Sequence, residues 1–358
     1  MKIPELQGGP LAVIGDVHGE LEALEAMLRE LARLDAGRPS RALCFVGDLV
    51  DRGPDSPGVM RRVRTLMDEG RAQLVLGNHE LNLLRMDVEP KADNLWMRGE
   101  ERHLGGGEML PERLVRSADE RAELLAMLAD VPVALERDDL RVVHAAWDEA
   151  ALDRLMREAL LDPLLEGLLA RHEASLQAIR DRLAADGTLA RARAEAQRIH
   201  EEFPIGVLGD ETHAPAISLA IQAREMALQN EDPLRLVTSG PEGPTDQVFA
   251  AGGKWRHTRR AAWWSEYQGK PVVFGHYWRG ARASELRRPF APPDPFEDEP
   301  HTGALGLAGR AHCLDYSVGR RFLERKWMGT NPRPFQGRLA ALLWPESWTL
   351  FDDGQLVR

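Results

Sequence analysis

Short apolar runs recur along this chain, and the first three end abruptly in a glycine followed by a polar residue. They cover residues 11–14, 42–46 and 73–76, and each is a predicted buried strand. Apolar residues at helical spacing follow the first two runs, so a helix is predicted after each of them. Strand, loop and helix in this order are typical of an α/β fold with neighbouring parallel strands.

Further strands are predicted nearer the carboxyl terminus. Residues 132–135 and 140–143 flank an Asp138-Asp139 turn and predict a β-hairpin. The other predicted strands cover residues 234–237, 271–274, 312–315, 337–343 and 348–351. Residues 150–230 differ, because leucine and alanine recur there at helical spacing among charged residues. We therefore predict one domain over residues 1–358, with a helical insertion at approximately residues 150–230.

Two further segments are predicted from their composition. Residues 98–130 are rich in charge, and we expect them to be helical. Residues 289–303 combine proline with aspartate and glutamate and contain few apolar residues, which predicts a mobile loop.

Composition and charge narrow the class of protein. The chain of 358 residues is 43% hydrophobic and 29% charged, as expected of a soluble globular protein. Its formal net charge of −11 argues against non-specific nucleic-acid binding, which needs a basic face. No apolar run has the length of a membrane span, and the charged motif at Asp16 leaves no room for a signal peptide. Cys44 and Cys313 lie in apolar runs, which indicates buried free thiols, and we expect a cytoplasmic protein.

Metal-binding side chains follow the predicted strands. They supply carboxylates, one amide oxygen and imidazoles but no thiolate, a donor set that suits Mn, Fe or Zn. The residues are Asp16, His18, Asp48, Asn78, His144 and His276. Because a divalent ion takes about four to six ligands, six candidates plus waters fit two ions better than one. Two such ions can activate a water molecule for attack on phosphorus.

The segment over residues 47–53, Gly-Asp-Leu-Val-Asp-Arg-Gly, adds a second kind of chemistry. Arg52 carries a planar, permanent positive charge that suits a phosphate group. His79, directly after Asn78, can donate a proton near neutral pH, and a carboxylate partner would keep it charged and oriented.

These segments resemble the signature blocks of a known family. Residues 15–19, 47–53 and 77–80 are similar to the three blocks of the calcineurin-like metallophosphoesterases. The resemblance is closest to the branch that contains phosphoprotein phosphatases and symmetrical diadenosine tetraphosphate hydrolases. His144 and His276 resemble the two later metal-binding histidines of that family, and residues 314–343 resemble its closing hairpin. The resemblance implies a four-layer α/β/β/α sandwich of two mixed sheets flanked by helices.

The resemblance also implies roles for single residues. Asp16 and His18 would bind the first metal ion, and Asp48 would bridge both ions. The second ion would be held by Asn78, His144 and His276, and both ions are expected to be Mn, with Fe or Zn as alternatives. Arg52 would bind the substrate phosphate, and His79, oriented by Asp51, would protonate the leaving group.

Two positions depart from the family pattern. Many members outside this branch have a second histidine two residues after the Gly-His histidine, where this chain has Trp278. The branch usually has Gly-Gly after the fourth-block histidine, where this chain has Ala145-Ala146. A second phosphate-binding arginine is also expected, and its candidates are Arg256, Arg259 and Arg260.

Tryptophans are candidates for the wall of a substrate site. Trp147, three residues after His144, is expected to line the site. The pair Trp263-Trp264 fits either core packing or a wall for an organic group on the phosphate.

The predicted function is metal-dependent hydrolysis of phosphomonoesters, on a phosphoprotein or a small molecule, by a hydroxide activated at two metal ions. The alternative is a hydrolase of dinucleoside polyphosphates, with a tryptophan stacked on a base. A phosphatase module of RNA repair is disfavoured by the acidic charge. A non-catalytic binding scaffold is a further alternative, but the presence of both Arg52 and His79 argues against it, because binding alone needs no general acid. The expected partners are phosphorylated substrates, and neither a membrane nor non-specific nucleic acid.

Overall fold

A computed structural model of the chain describes most of the sequence. The described ranges are 2–102, 112–161, 164–204, 214–251, 254–280, 293–328 and 334–358. The predictions for residues 98–130 and 289–303 therefore fall partly outside the described residues.

The larger sheet has six strands and mixes parallel with antiparallel pairs. Its parallel half consists of β1 (Leu11–Ile14), β2 (Ala42–Phe45) and β3 (Ala72–Leu74). Its antiparallel half consists of β10 (Ala340–Trp344), β11 (Trp348–Phe351) and β12 (Leu356–Val357). The strand order is β12-β11-β10-β1-β2-β3, so the two halves join between β10 and β1.

The smaller sheet has four strands in the order β4-β5-β8-β9. The predicted hairpin is confirmed as β4 (Ala134–Glu136) and β5 (Arg141–Val143), and β8 (Val272–Phe274) and β9 (Ala311–Cys313) continue the sheet in parallel. The alternating side chains of each strand face opposite sides of its sheet.

One face of each sheet packs against the other sheet. Val13 and Cys44 of the larger sheet share a buried cluster with Val142 and Val273 of the smaller one. The opposite faces are covered by helices, among them α1 (Leu21–Leu34) and α2 (Ser56–Asp68) on the larger sheet, whose apolar side chains share one cluster with Ile14 and Phe45. Two mixed sheets packed face to face, with helices outside, confirm the predicted sandwich.

The remaining helices of the core region are short. The chain enters α3 (Asn78–Leu84) directly after the third Gly-containing loop. Between residues 98 and 130 the described helix is α4 (Ala118–Ala126), so the prediction of helix there is confirmed for this part alone. Near the carboxyl terminus α10 spans Arg321–Met328.

Most of the described residues between 149 and 230 are helical, as predicted. It contains α5 (Glu149–Leu161), α6 (Leu165–Ala185), α7 (Thr188–Glu202) and α8 (Leu219–Asn230). A hairpin of β6 (Glu242–Ala251) and β7 (Lys254–Arg260), which the sequence did not reveal, packs on α8. Helices and hairpin share a small apolar cluster that includes Ile221 and Trp255. The division into one domain with an insertion stays a prediction.

The predicted strand at residues 234–237 is wrong, because this segment is α9 (Pro233–Ser239). Asp232 caps the helix by accepting a hydrogen bond from the Arg235 backbone N–H at 2.9 Å, and proline stands at the first helical position. Leu234 and Val237 are buried three residues apart, the spacing of a helix face. A four-residue apolar run without flanking context does not distinguish the two structures.

Among the described residues, no helix combines the length and the apolar character that crossing a bilayer requires.

Candidate metal centre

The polar residues that follow the strands meet at one edge of the sandwich. Asp16, Asp48 and Asn78 follow the parallel strands β1, β2 and β3, and His144 and His276 follow the parallel strands β5 and β8. Because the carboxyl ends of parallel strands lie at the same edge of a sheet, each sheet delivers its residues to one place. All five come from positions that the sequence had indicated.

Asp48 lies at the middle of this group. Its Oδ1 is 3.3 Å from Nε2 of His144, and its Oδ2 is 3.7 Å from Nε2 of His18 and 3.8 Å from Nε2 of His79. The backbone N–H of His79 donates a hydrogen bond to Asp48 Oδ1 at 2.9 Å. The Asp48 side chain is 2% exposed, so these contacts form away from solvent.

Asn78 and Asp16 connect the outer members of the group. The amide oxygen of Asn78 is 2.7 Å from Nδ1 of His276 and 3.1 Å from Nε2 of His144. Asp16 Oδ2 is 3.8 Å from Nε2 of His18, and Asp16 accepts a hydrogen bond from the His276 backbone N–H at 3.1 Å. All six predicted metal ligands therefore belong to one connected cluster.

The donor set fits divalent cations. Nδ1 of His18 lies 3.0 Å from the Val50 carbonyl and Nδ1 of His144 lies 2.7 Å from the Val46 carbonyl. A carbonyl only accepts hydrogen bonds, so Nδ1 carries a proton in both rings and Nε2 is the atom that faces the carboxylates. A divalent cation placed between these Nε2 atoms and the carboxylates would neutralise the buried negative charge.

The charge states of His18 and His276 agree with this fit, whereas for His144 the effect of burial is outweighed by the charge of Asp48 and a hydrogen bond with it, which raise the pKa of His144 to about 9. Burial, and then the charges of Arg52 and His79, hold the pKa of His18 well below its ordinary value, so its ring is neutral. Burial and then the charge of Arg260 also hold the pKa of His276 well below its ordinary value. Neutral imidazole is the form that binds metal ions.

Two sets of three ligand atoms, each within 4.8 Å of one another, share Asp48. One set contains His18 and His79, and the other contains His144 and His276. The shared carboxylate matches the predicted bridge between two ions. The first set contains His79 in the place where the family resemblance puts Asp16, which lies beside His18 at 3.8 Å. The assignment of individual ligands stays a prediction.

The backbone at this edge adopts a conformation that side-chain-bearing residues rarely take. Positive φ angles occur at His18 (46°), Asp48 (49°), Asp51 (70°), Arg52 (71°) and His276 (65°). Such angles cost free energy in residues other than glycine, and they persist where the surrounding structure enforces them at a functional site. The loops are therefore shaped to aim these side chains inward.

Asp51 holds His79, as the sequence predicted. Asp51 Oδ2 is 2.6 Å from Nδ1 of His79, and the carboxylate also accepts hydrogen bonds from Trp96 Nε1 at 2.6 Å and from the Asn94 amide at 3.2 Å. Burial lowers the pKa of His79, but the charge of Asp48 and the hydrogen bond with Asp51 outweigh it and raise the pKa above its ordinary value. His79 can therefore carry a proton in this buried place.

Arg52 extends its guanidinium over the cluster. Nη1 is 2.6 Å from His18 Nε2, Nη2 is 3.0 Å from His79 Nε2, and the group lies over the Trp278 ring at 5.0 Å. A Cβ at Gly319 would stand 2.9 Å from Arg52 Nη1 and 2.6 Å from His18 Cδ2, so only glycine allows this packing. Trp278, noted in the sequence as a departure from the family, thus has a contact of its own at the site.

Glu80 binds backbone N–H groups of two loops at this edge, and its role was not predicted from the sequence. Its carboxylate accepts hydrogen bonds from the backbone N–H groups of Asp48 and Leu49, both at 2.8 Å, and of Gly77 at 3.1 Å. Burial and then the charge of Asp48 raise its pKa to about 7. The signal in the sequence was a glutamate three residues after Gly77, where its side chain can accept from the backbone N–H that precedes the helix.

Asp315 was also missed. It is 1% exposed, follows β9 at the same edge, and accepts a hydrogen bond from the Ser317 backbone N–H at 2.9 Å. After burial, its charge is the largest influence that raises the pKa of Asp16 well above the ordinary value. Its position as the last residue of the predicted strand 312–315 was the available signal.

The three candidate arginines for a second phosphate contact lie apart on β7. Arg260 Nη1 donates to the His276 carbonyl at 2.8 Å, which places it at the metal-binding edge. Arg259 donates instead to the Pro244 carbonyl at 3.0 Å within the hairpin. Arg256 lies four residues before Arg260 on the same face of β7 and pairs with Phe249 of β6.

The tryptophan candidates contact protein rather than open space. Trp147 is 4% exposed, and the Arg141 guanidinium lies over its ring at 4.4 Å. Trp264 is fully buried and stacks between Phe274 and Phe296, while Trp263 Nε1 donates to the Ala145 carbonyl at 2.9 Å. The pair Trp263-Trp264 therefore packs in the core. Trp147 as a wall of the substrate site stays a prediction.

A family comparison agrees with this geometry. Residues 9–148 match the model of the calcineurin-like phosphoesterase family. The predicted resemblance to the calcineurin-like metallophosphoesterases is thereby confirmed for this segment. His276 and Asp315 lie beyond the matched range, yet they reach the same edge of the sandwich.

Relatives named symmetrical bis(5'-nucleosyl)-tetraphosphatase match part of the chain. The protein of Janthinobacterium sp. (strain Marseille) is 34% identical over 154 residues, which are 42% of this chain and 50% of that protein. Those of Ralstonia nicotianae and Edwardsiella ictaluri are both 37% identical, over 38% and 41% of this chain and 41% and 48% of their own lengths. The chain thus spans about half the length of the curated relatives that it matches.

Proposed function

We propose, from the calcineurin-like phosphoesterase match over residues 9–148, that this chain is a metal-dependent hydrolase of phosphate esters or anhydrides. One observation carries the proposal. Six ligand-bearing residues, which follow five strands of two sheets, form one cluster around Asp48, with contacts of 2.7 to 3.8 Å between neighbouring polar atoms. Divalent ions bound there would polarise the phosphoryl oxygens and lower the pKa of a water molecule for attack on phosphorus.

Arg52 has the position and chemistry of a phosphate anchor. Its guanidinium lies between His18 and His79 and over the Trp278 ring, in a space that a side chain at Gly319 would fill. A planar guanidinium binds two phosphoryl oxygens at once and neutralises the charge that grows on them during transfer. The residue needs no further rearrangement of the loop to present this group.

His79 is proposed as the general acid. Asp51 binds its Nδ1 at 2.6 Å, which leaves Nε2 directed at the cluster as the atom that gives its proton to the leaving oxygen. Trp96 and Asn94 hold Asp51 in turn, so the imidazole has one orientation. This arrangement is of no use to a protein that only binds phosphate, which argues against the scaffold alternative.

Hydrolysis of a dinucleoside polyphosphate is the second candidate for the substrate class. The matched relatives carry the name of symmetrical bis(5'-nucleosyl)-tetraphosphatases, and this favours the anhydride over the phosphomonoester. The matched segments cover about half of those proteins, so this support for the anhydride comes from the matched part of the chain alone. We carry both substrate classes into the test.

The test compares substrates side by side. Purified protein with Mn²⁺ is assayed on p-nitrophenyl phosphate, on phosphopeptides and on diadenosine tetraphosphate, with Asp48→Asn as the matched control. We expect turnover by the natural sequence and none by the variant. Turnover of the dinucleotide alone identifies the second candidate. Absence of turnover on every substrate, with metal bound, overturns the hydrolase in favour of the scaffold.

A further inference from the structure

Asp315 has a buried carboxylate oxygen without a hydrogen-bond donor. The residue is 1% exposed, and its Oδ1 accepts from the Ser317 backbone N–H at 2.9 Å. Within the described ranges, no group donates a hydrogen bond to Oδ2. Leaving a buried carboxylate oxygen without a donor costs free energy, so such an oxygen in a folded protein indicates a binding partner. Oδ2 therefore marks a place where a donor or a cation binds.

The segment that carries Asp315 passes close to the phosphate anchor. The preceding residue, Leu314, packs on the end of β1, where a Cβ at Gly15 would stand 2.2 Å from its carbonyl oxygen. Four residues after Asp315, a Cβ at Gly319 would stand 2.9 Å from Nη1 of Arg52. The segment thus runs from the end of β1 to the guanidinium of Arg52.

Arg52 is the cation best placed to pair with Oδ2. Burial raises the pKa of Asp315 above its ordinary value, and the charge of Arg52 is the largest influence in the opposite direction. Arg260 also lies near, but its Nη1 donates to the His276 carbonyl at 2.8 Å. The charge of Asp48 raises the pKa further, and an ionised carboxylate has no proton to donate to Oδ2.

The guanidinium of Arg52 contacts an atom that the proposed metal centre also requires. Its Nη1 lies 2.6 Å from Nε2 of His18, whose Nδ1 faces the Val50 carbonyl at 3.0 Å. In the neutral ring Nε2 is therefore the acceptor, and it has a single lone pair. This lone pair cannot serve Arg52 and a metal ion together. When His18 binds metal, Arg52 must donate elsewhere, and the charge of the ion repels the guanidinium in addition.

We propose that Asp315 is the positioning residue for Arg52, with Oδ2 accepting the guanidinium when His18 binds a metal ion. This inference rests on the proposed function, and it deepens it by assigning how the phosphate anchor of the same site is held. A guanidinium carries five N–H donors, so a pair with Asp315 leaves others for the phosphate. In this arrangement Asp315 contacts neither the substrate nor the reacting atoms.

Asp352 provides a matched control. Its Oδ1 accepts from the Leu339 backbone N–H at 3.2 Å and its Oδ2 from Nη2 of Arg321 at 2.6 Å. These are the two kinds of contact that we assign to Asp315, and the Asp352 side chain is 10% exposed. A general effect of removing a largely buried carboxylate appears in Asp352→Asn as well as in Asp315→Asn, whereas an effect on Arg52 appears in Asp315→Asn alone.

The first measurement is Mn²⁺ affinity, which needs no turnover. Calorimetric dissociation constants are determined for the full chain, for Asp315→Asn and Arg52→Ala, and for the double variant, with Asp352→Asn as the control. We expect the weakening by Asp315→Asn to be at least about tenfold larger when Arg52 is present than in the Arg52→Ala background, because only Arg52 competes for His18. Asp352→Asn should change the affinity by less than about twofold.

Two outcomes overturn the proposal alone. If Asp315→Asn weakens Mn²⁺ binding by the same factor in both backgrounds, Asp315 acts on the ion itself and not through Arg52. If it weakens Mn²⁺ binding in neither background, Asp315 has no part in the metal centre. Absence of Mn²⁺ binding by the natural sequence would instead overturn the metal centre, and the proposed function together with this inference.

Orthophosphate binding tests the anchor itself. Orthophosphate is titrated into the Mn²⁺-saturated chain and into the same variants. We expect Asp315→Asn and Arg52→Ala each to weaken its binding at least about tenfold, and the double variant to stay within about twofold of Arg52→Ala. Additive losses in the double variant contradict positioning through Arg52 and overturn the proposal.

A crystal structure of the Mn²⁺-loaded natural sequence keeps the proposal testable if a variant does not fold. We expect a guanidinium nitrogen of Arg52 within about 3.2 Å of Asp315 Oδ2. A water molecule or an ion at Oδ2, with the Arg52 guanidinium elsewhere, overturns the proposal.

Discussion

The imidazole of His79 has a different partner at each ring nitrogen. Nδ1 faces the Asp51 carboxylate at 2.6 Å, and Nε2 faces Arg52 at 3.0 Å and Asp48 at 3.8 Å. Asp51 fixes the ring and favours its protonated form, whereas Arg52 disfavours it. A proton held between these opposing charges can be released to a substrate oxygen that arrives beside Arg52.

Replacing His79 by asparagine tests this role. The amide can still donate a hydrogen bond to Asp51, so we expect metal content to be retained while kcat falls by about 10²–10⁴. The loss should be greatest for substrates whose leaving groups have a high pKa, because these need the proton most. The measurement is kcat across a series of aryl phosphates of graded leaving-group pKa, with metal content determined on the same samples. Equal slowing of good and poor leaving groups would contradict the acid role.

Single residues were predictable where they follow a strand. Asp48 and His144 stand at strand ends, and the rule that parallel strands bring such ends together placed them correctly. Glu80 and Asp315 act through buried contacts with backbone N–H groups, and no pattern in the sequence shows where a carboxylate will find such donors. The contact of Arg52 with Trp278 joins residues 226 positions apart, which local reasoning does not reach.

Among the elements, α9 links the helical region to the metal centre. Its Val237 carbonyl accepts hydrogen bonds from the backbone N–H groups of Ala145 and Ala146, at 3.0 and 3.2 Å, directly after His144. At its other end Asp232 caps the helix and binds His172 Nδ1 of α6 at 2.8 Å, with both side chains buried. This short helix therefore contacts both α6 and the segment that follows the proposed metal ligand His144.

Asp232→Ala should therefore destabilise the protein by more than the loss of a cap. The cap contributes about 1 kcal/mol, and leaving His172 without its buried partner adds about 1–3 kcal/mol. The measurement is the free energy of unfolding in urea. Ser117→Ala is the control, since Ser117 caps α4 at an exposed position by accepting from the Glu120 backbone N–H at 3.1 Å. We expect about 1 kcal/mol there, and equal losses in both variants would show that the His172 contact contributes nothing.

Secondary structure was predictable in proportion to the strength of its hydrophobic pattern. The strands of the two sheets, except the two-residue β12, are apolar runs and were predicted to within a few residues at their ends. The hairpin of β6 and β7 was missed because its strands are rich in polar and charged residues and its apolar face covers only a small cluster. The error at α9 arose from a run too short to show a helical period, although Asp232-Pro233 before it and Gly240 after it were readable end signals.

At the scale of the whole molecule, the metal centre lies across the junction of the two sheets. Asp16, Asp48 and Asn78 come from the larger sheet, and His144 and His276 from the smaller one. The apolar cluster between the sheets, which contains Val13 and Val142, holds them together behind the centre. That two separate sheets would share one edge followed from the family resemblance and not from the hydrophobic pattern, which does not specify how sheets pack.

Because the ligands come from both sheets, bound ions should stabilise the folded chain as a whole. An ion present at a hundred times its Kd adds about 2.7 kcal/mol to the free energy of unfolding, provided that the unfolded chain does not bind it. We expect Mn²⁺ to raise Tm by several degrees over protein treated with a chelator, and the rise to grow with the logarithm of the Mn²⁺ concentration.

The control for this measurement is Asp48→Asn. The substitution keeps the size of the side chain and its place among His18, His79 and His144, but it removes the charge that both sets of ligand atoms share. If the ions bind at Asp48, the variant should lose most of the Mn²⁺-dependent rise in Tm while its Tm in chelator changes much less. A rise of the same size in the variant would place the stabilising ions elsewhere on the chain, and the convergence of the two sheets would then have to be explained without metal.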